Sequence, residues 1–155
     1  MSERLTPELL EKFKGVSVDD VKTRIRNKNL IALAKAVGAK NPKYFGDSPV
    51  VHPAYIGTVI VKALFSLADA KVQDENGNDV LLITNPGKIL HGGQGYKYYD
   101  AEVKDKDVLI TSGSLENVYI KNEMLFMEAK MVTKKEDGTL VQETFISAIA
   151  RKGGF

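Results

Sequence analysis

"PAYIGTVIVKALFSLADA", residues 53–70, is apolar nearly all the way round a helix. A membrane-spanning helix needs about 20 apolar residues, whereas this run is shorter and is interrupted by Lys62 and Asp69. Pro53 suits the first turn of a helix, and His52 stands immediately before it. We therefore predict that residues 53–70 form a helix that is buried on most sides inside a globular domain.

Five strand-like runs follow the polar turn "QDENGND" at residues 73–79. They are "VLLIT", "KILHGGQGYKYYD", "DVLITSGSLENVYI", "EMLFMEAKMVTKK" and "LVQETFISAIARK". Apolar residues alternate along the last two, at Leu125, Met127, Ala129 and Met131 and at Val141, Phe145 and Ile149. Short connections such as Glu136-Asp137-Gly138 favour antiparallel pairing. An antiparallel sheet must cover one apolar face, and helix 53–70 can do so. The predicted class is α+β: a curved sheet wrapped round one long central helix, the hot-dog fold.

The first 27 residues are predicted to be a helical N-terminal extension of a single domain that spans residues 1–155. Thr6-Pro7 followed by Gly15 indicates one short helix with a cap at each end. Residues 17–38 are predicted to hold one or two helices. Ser17 with Asp20 resembles a capping box, and Gly38 ends an apolar face that consists of Leu30, Leu33, Ala34 and Val37.

Composition excludes several classes of function. Without cysteine, and with two histidines, the chain has no thiolate zinc site, no disulfide and no three-histidine metal centre. A net charge of +2 without a basic stripe argues against nucleic-acid binding. The charged start, residues 1–15, is neither a signal peptide nor a membrane anchor. We expect a cytoplasmic protein without membrane insertion, metal or cofactor.

The two histidines are the candidate acid/base residues. His91 lies beside Gly92 and Gly93, where a ligand could approach the backbone, although a partly exposed strand histidine beside a bulge is the simpler interpretation. His52 could face a ligand at the helix start or could merely fill the junction. The glycines at 92, 93 and 95 do not have the spacing of a phosphate loop, and the acids Asp47 and Asp100 are interpreted as solvated or capping residues.

"ALAKAVGAKNPKYFGD", residues 32–47, resembles the Gly-Asp-x-Asn-Pro-aliphatic-His motif of the MaoC-like hydratase/dehydratase family. Other blocks follow in the family's order: "VVHPAYIGTVI" resembles the start of its central helix, the run from Ile89 resembles the next strand pair, and "KEDGTLVQETFISAIAR" resembles its closing hairpin. The resemblance spans about residues 28 to 151. It is closest to the N-terminal-type (FAS1-like dehydratase) domain and to the accessory subunit of heterodimeric (3R)-hydroxyacyl dehydratases.

The resemblance implies that this chain has lost the catalytic dyad of the family. Catalytic members use the motif's aspartate and histidine to move water onto or off an enoyl thioester, with backbone N–H groups at the central helix polarising the carbonyl. Gly38, Asn41 and Pro42 are retained, but Ala39 occupies the aspartate position and Tyr44 the histidine position. Pro53 removes one potential donor and is expected to leave the N–H of Ala54 available.

Three functions remain open from the sequence. The chain is expected to be the accessory, substrate-holding subunit of a hydratase or dehydratase, as a heterodimer with a catalytic MaoC-like subunit. Alternatively it is a self-sufficient homodimeric hydratase or thioesterase using His91 or His52, with Asp47 or Tyr44 as a partner. A third hypothesis is a module that binds acyl-CoA or acyl-carrier protein without turnover. The expected contacts of the acyl thioester are Asn41, Tyr44, His52, Ala54, Tyr55, His91, Gly92 and Gln94.

Overall fold

A computed structural model describes residues 4–155. The helices are α1 (Pro7–Phe13), α2 (Asn27–Ala36), α3 (Pro53–Val59) and α4 (Val61–Ala68), with single 3₁₀ turns at Pro42–Tyr44 and Pro86–Lys88. The strands are β1 (Ser17–Arg24), β2 (Lys71–Gln73), β3 (Asp79–Leu81), β4 (Ile89–Tyr98), β5 (Val108–Lys121), β6 (Met124–Lys135) and β7 (Leu140–Ala150).

One five-stranded antiparallel sheet dominates the fold, in the order β1-β5-β6-β7-β4, and β2 and β3 form a separate hairpin. Glu136 and Asp137 lie in the tight β6–β7 turn, where Gly138 adopts a φ of 88° that favours glycine. The antiparallel sheet and the helical segment on its inner face confirm the predicted α+β class. β4 and β1 are the two edges, so the outer side of β4 pairs with no strand among the described residues.

The prediction of helix at the start of residues 17–38 is wrong, because Ser17–Arg24 forms edge strand β1. Val18, Val21 and Thr23 are β-branched, and pairing with β5 outweighs the local capping signal at Ser17 and Asp20. Between residues 4 and 26 the N-terminal extension is therefore helical only over α1, where the Thr6 side chain accepts from Leu9 N at 3.3 Å. The second predicted helix is confirmed as α2.

The central helical segment differs from the prediction in two respects. Ile60 interrupts it, so that it consists of α3 and α4 rather than one continuous helix. It is also buried on one side only, since Val61 is 41% and Phe65 67% exposed. The buried side carries Ile56, Val59, Ala63 and Leu67. An exposed apolar face on a helix is a feature that a partner protein would cover.

The apolar alternation along β6 is confirmed, whereas that along β7 is assigned to the wrong face. Leu125, Met127, Ala129 and Met131 are buried and pair with Ala150, Ala148, Ile146 and Thr144. From Gln142 onward the inner face of β7 therefore carries the even-numbered residues, and Phe145 is 46% exposed on the outer face, whereas Val141, beside the register irregularity, is also buried. β7 is apolar on both faces, so its register is decided by pairing with β6 rather than by its own pattern.

A charged cluster on the outer face of the sheet makes stability depend on pH. Glu143 contacts Lys130 Nζ at 2.6 Å and accepts from Tyr99 Oη at 2.8 Å. The hydrogen bond to Lys130, and to a smaller extent the hydrogen bond to Tyr99, lowers the pKa of Glu143. Because this pKa is lowered, the stabilisation that ionised Glu143 gives the folded chain is complete above the unfolded pKa of about 4.3. It is lost as the pH falls through the lower pKa of the folded state.

We expect Glu143→Gln to flatten this acid dependence. Urea unfolding followed between pH 7 and pH 2 should show that the wild-type chain loses more stability below about pH 4.3 than the variant does. Glu75→Gln, in the exposed β2–β3 turn, is the matched control, because the Glu75 side chain forms no hydrogen bond or ion pair with residues 4–155. Parallel pH profiles for the wild type and Glu143→Gln would contradict the assignment.

Candidate functional site

The turn after α2 carries the glycine, asparagine and proline of the motif, with Ala39 and Tyr44 at the positions assigned to the acid and the base. Gly38 has a φ of 69°, and Ala39 N donates to Ala34 O at 2.9 Å, which closes α2 with a Schellman motif. Asn41 Oδ1 accepts from Lys43 N at 3.1 Å and caps the following 3₁₀ turn. The Asn41 side chain therefore has a structural role, and a half-buried Ala39 occupies the position of the carboxylate.

His52 joins this turn to the start of the central helical segment. Its ring lies 4.8 Å from the ring of Tyr44, centroid to centroid. Its Nδ1 accepts from Ala54 N at 3.2 Å, and its carbonyl accepts from Tyr55 N at 2.8 Å. His52 is thus the N-cap of α3, a role in which an acceptor side chain satisfies the unpaired N–H groups of the first turn.

This arrangement corrects the expectation that the Ala54 N–H is available to a ligand. Pro53 has no N–H, and the N–H groups of Ala54 and Tyr55 are both bonded within the chain. Tyr55 itself is buried in the core, so its side chain does not line an open site. The first turn of α3 therefore offers no free donor at these three positions to polarise a thioester carbonyl.

The His52 cap can be tested by substitution. We expect His52→Ala to lower the free energy of unfolding by about 0.5–2 kcal/mol, because the acceptor for Ala54 N is removed. His52→Asn should retain most of that stability, because asparagine is among the preferred N-cap residues. Thermal and urea unfolding of both variants at pH 8 measures the difference. Equal stability of the two variants would show that the cap is not needed.

Tyr96 and Tyr98 flank α3 from the edge strand. Their rings are stacked 5.7 Å apart, and Tyr98 Oη donates to Pro53 O at 3.5 Å, a long contact. Partial burial raises the pKa of Tyr98, and the neighbouring Tyr96 raises it further. The Tyr98 hydroxyl therefore remains a neutral donor at neutral pH. Neither tyrosine is among the ligand contacts expected from the sequence. Their i, i+2 spacing on an edge strand was the signal that they share a face.

A buried polar row runs across the sheet beneath α3. Thr111, Thr133 and Gln142 are fully buried on adjacent strands, and Tyr98 continues the row on β4. The Thr111 and Thr133 hydroxyls lie 3.0 Å apart, and Gln142 Nε2 donates to Ile56 O at 3.2 Å. Gln142 therefore ties α3 to the sheet by a polar contact, whereas α4 is held by apolar side chains.

His91, Gly92 and Gln94 lie on β4, far from His52. His91 pairs with Ala148 beside a bulge at Gly92 and is exposed. Tyr98, which reaches Pro53, is seven residues further along the strand, or about 20 Å at ~3.3 Å per residue. The expected ligand contacts therefore form two groups at opposite ends of the central helical segment. Asp47 is exposed, and its carbonyl accepts from Asn27 Nδ2 at 2.7 Å.

A cavity lies at each end of the central helical segment. An open cleft of about 800 Å³ lies beside the start of α3, with Pro49, Val50, Ile56, Tyr98 and Val141 among its lining residues. Lys104 and Glu102 at its rim are paired with each other at 2.9 Å. A smaller cavity of about 380 Å³ lies beside α4 and includes His91. Among the described residues, every helix is too short or too polar to span a bilayer.

Comparison with solved structures shows the fold. A chain of the HadBC (3R-hydroxyacyl-ACP dehydratase) complex from Mycobacterium tuberculosis superimposes with a TM-score of 0.70 at 14% identity, covering 89% of this chain and 97% of that one. A MaoC-like dehydratase from Rhodospirillum rubrum gives 0.66 at 12% identity over 92% and 96% of the two chains. The hydratase PhaJ1 from Pseudomonas aeruginosa gives 0.63 at 15% identity over 90% and 82%. These similarities confirm the hot-dog fold.

No curated protein matches the chain in sequence. A family model does: that of the FAS1-like dehydratase domain region matches residues 12–144, which is most of the chain. Together with the fold, this match confirms the resemblance on which the dyad positions were assigned. The chain belongs to the FAS1-like dehydratase domain family.

Proposed function

We propose that this chain is the substrate-holding, non-catalytic subunit of an (R)-specific enoyl-thioester hydratase or 3-hydroxyacyl-thioester dehydratase. A MaoC-like partner supplies the aspartate and histidine, and the ligand is an acyl-CoA or acyl-carrier-protein thioester. The proposal rests on which residues occupy the dyad positions and on the bonding of the N–H groups at the start of α3. The dyad positions hold Ala39 and Tyr44, Pro53 has no N–H, and His52 occupies the Ala54 donor. The scaffold is retained, whereas its acid, base and first-turn donors are not available.

One surface of the chain has the properties of an interface. Val61 and Phe65 on α4 and Leu90, Tyr96 and Tyr98 on β4 are five of the nine large apolar side chains that are exposed among the described residues. They accompany a strand edge whose backbone groups are free to pair. We propose that the partner covers this surface, extends the sheet at β4 and packs on α4. The similarity to chains of the HadBC and ChsH1-ChsH2 complexes supports a two-chain assembly.

Co-expression tests the proposal directly. The chain would be produced with MaoC-like subunits encoded beside its gene, and the purified complex, the chain alone and the partner alone would be assayed for hydration of trans-2-butenoyl-CoA. We expect a stable complex whose activity disappears when the partner's motif aspartate and histidine are both replaced by alanine. Failure of this chain to associate with any such subunit would count decisively against the proposal.

The self-sufficient alternative has one observation in its favour, the contact between His52 and Tyr44. Its test is the double variant His52→Asn, His91→Ala, in which the asparagine preserves a cap on α3. If the wild-type chain alone is active and the double variant is not, one of the histidines is the base, and the accessory assignment fails. Saturable thioester binding without product, alone or with every partner tried, would favour the third hypothesis, a binding module.

A further inference from the structure

The central helical segment is interrupted at Ile60, although its buried side is continuous. The buried side chains follow the i, i+3, i+4, i+7 spacing of a single helix: Ile56, Val59, Ile60, Ala63 and Leu67. Ile60 itself has a φ of −77° and a ψ of −16°, whereas ψ is about −42° in an α-helix. Its N–H is directed at Thr58 O, and i→i−4 bonding resumes where Leu64 N donates to Ile60 O at 2.9 Å. The side-chain pattern of the segment therefore does not explain the interruption.

Gln142 explains the interruption from the sheet. Its Nε2 donates at 3.2 Å to Ile56 O, the carbonyl that accepts from the Ile60 N–H in a continuous α-helix. A side chain that inserts into the backbone ladder in this way is a common cause of a helix kink. Gln142 is fully buried, and its Oε1 has no hydrogen-bond partner among residues 4–155. A methionine of similar size would bury no unpaired amide oxygen, so the glutamine weakens the fold where an apolar residue would not.

A second contact fixes α3 at the residue that follows Ile56. A Cβ added to Gly57 would lie 2.8 Å from Tyr96 Oη, so the tyrosine side chain of β4 lies directly against the helix backbone. Any larger residue at position 57 would have to displace Tyr96, which is why a glycine suits this helix despite its low helix propensity. α3 is therefore held at two consecutive residues by side chains from two different strands, β7 and β4.

α4 has no comparable polar attachment. Ser66 Oγ donates to Lys62 O at 3.1 Å within α4 itself, and among residues 4–155 no side-chain hydrogen bond joins α4 to the sheet. Its buried side chains are Ala63 and Leu67, and a cavity of about 380 Å³ lies between its second half and the sheet. Apolar contacts are non-directional, and an interior with such a space lacks the dense packing that locks a helix in place. α4 can therefore tilt without the loss of a hydrogen bond to the sheet.

We propose that Ile60 is a hinge and that α4 is a lid that turns about it over this cavity, while Gln142 and Tyr96 hold α3 in place. The hinge is set from outside the helix, because Gln142 occupies the Ile56 carbonyl and thereby keeps α3 and α4 from joining. Hinges of this kind commonly consist of a few residues at the ends of elements. Turning of α4 changes both the volume of the cavity and the direction of the exposed Phe65 side chain. This motion belongs to the isolated chain and needs no partner subunit.

Distances between pairs of spin labels on the full chain test the hinge. The chain contains no cysteine, so labels attach only at introduced cysteines. One label is placed on β6 by Lys134→Cys. The other is placed on α4 by Ser66→Cys or on α3 by Ala54→Cys, two exposed positions that lie six residues on either side of Ile60. We expect the distance distribution measured by pulsed electron paramagnetic resonance to be at least twice as broad for Ser66 as for Ala54.

Two substitutions on the inner face of β7 separate the hinge contact from stability. Gln142→Met removes the amide at nearly constant volume, so the Ile60 N–H should bond to Ile56 O and the Ser66 distribution should narrow to the width found for Ala54. Thr144→Val is the matched control. Thr144 is also fully buried, its Oγ1 also has no partner among residues 4–155, and it makes no contact with Ile56 O. This control should leave the Ser66 distribution broad. Gln142→Leu replaces Gln142→Met if circular dichroism shows that the latter is unfolded.

Three results would overturn the proposal. Equal widths for Ser66 and Ala54 in the otherwise unchanged chain would mean that α3 and α4 move as one helix. A broad Ser66 distribution in a folded Gln142→Met chain would mean that this glutamine does not hold the hinge. Narrowing by Thr144→Val to the same extent as by Gln142→Met would assign the effect to stability instead of to the Ile56 contact. None of the three bears on whether a catalytic partner exists, which the co-expression assay decides.

Discussion

Purified alone, the chain is expected to hydrate trans-2-butenoyl-CoA about 10²- to 10⁴-fold more slowly than its complex with a catalytic partner, the factor typical of general acid–base catalysis. The alanine at position 39 has no proton to transfer, and Tyr44 places a phenol where the family motif has an imidazole. The assay requires a high concentration of the chain, with its folded state confirmed in the same sample. Turnover comparable to that of the complex would show that the acid and base lie outside the motif.

A dyad-restored variant provides the sharper form of this test. We expect Ala39→Asp combined with Tyr44→His to raise the activity of the isolated chain less than tenfold. The reason is that the donor side of the site is also missing: Pro53 has no N–H, and Ala54 N is bonded to His52 Nδ1. Loss of one such donor costs about 10²–10³ in rate in enzymes that rely on it. Full restoration by the dyad alone would show that these backbone donors are not needed.

Leu67→Ala is expected to destabilise the chain by about 2–5 kcal/mol, the range for removing a buried leucine side chain. Leu67 is 3% exposed and packs over Gly113, where an added Cβ would lie 3.4 Å from Leu67 Cδ1. The sheet and α4 share this contact, so the loss weakens the attachment of α4 and enlarges the adjoining cavity. Urea unfolding monitored by circular dichroism gives the difference in free energy.

Phe65→Ala, two residues away on the same helix, is the control for Leu67→Ala. Phe65 is mostly exposed, and we expect its removal to change the stability of the isolated chain by no more than about 0.5 kcal/mol. The same variant should weaken association with a partner, because a central aromatic residue at an interface commonly contributes 2 kcal/mol or more. A large loss of stability from Phe65→Ala in the isolated chain would mean that this face is covered within the monomer.

The sequence predicted the elements whose periodic signal was strong, and it failed where two signals competed. The alternation in β6 and the Glu136-Asp137-Gly138 turn were sufficient to predict the closing hairpin of β6 and β7. Ser17 and Asp20 suggested a helix, yet the β-branched residues between 17 and 24 pair with β5, a contact that no local pattern contains. In β7 both faces are apolar, so only the pairing with β6 places Phe145 outside.

The candidate site shows the same division. The motif "GAKNPKY", residues 38–44, was sufficient for the prediction that Ala39 and Tyr44 replace the acid and the base, because that prediction depends only on side-chain identity. The bonding of His52 to Ala54 N was not predictable, since the orientation of one imidazole ring depends on the backbone that carries it. Nothing in the sequence separates His91 from His52, whereas in the folded chain His91 lies on β4 beside α4 and His52 lies at the start of α3.

By itself, the sequence determined the fold class, the family and the residue types that stand at positions 39 and 44 of the motif. Each of these depends on residue identity at fixed local spacing, which the chain carries without reference to its neighbours. Only the tertiary structure decided which faces are buried, where α3 ends and α4 begins, and that the first donors of α3 are occupied. Those features arise from contacts between residues as distant as Ile56 and Gln142, whose meeting is a property of the folded chain alone.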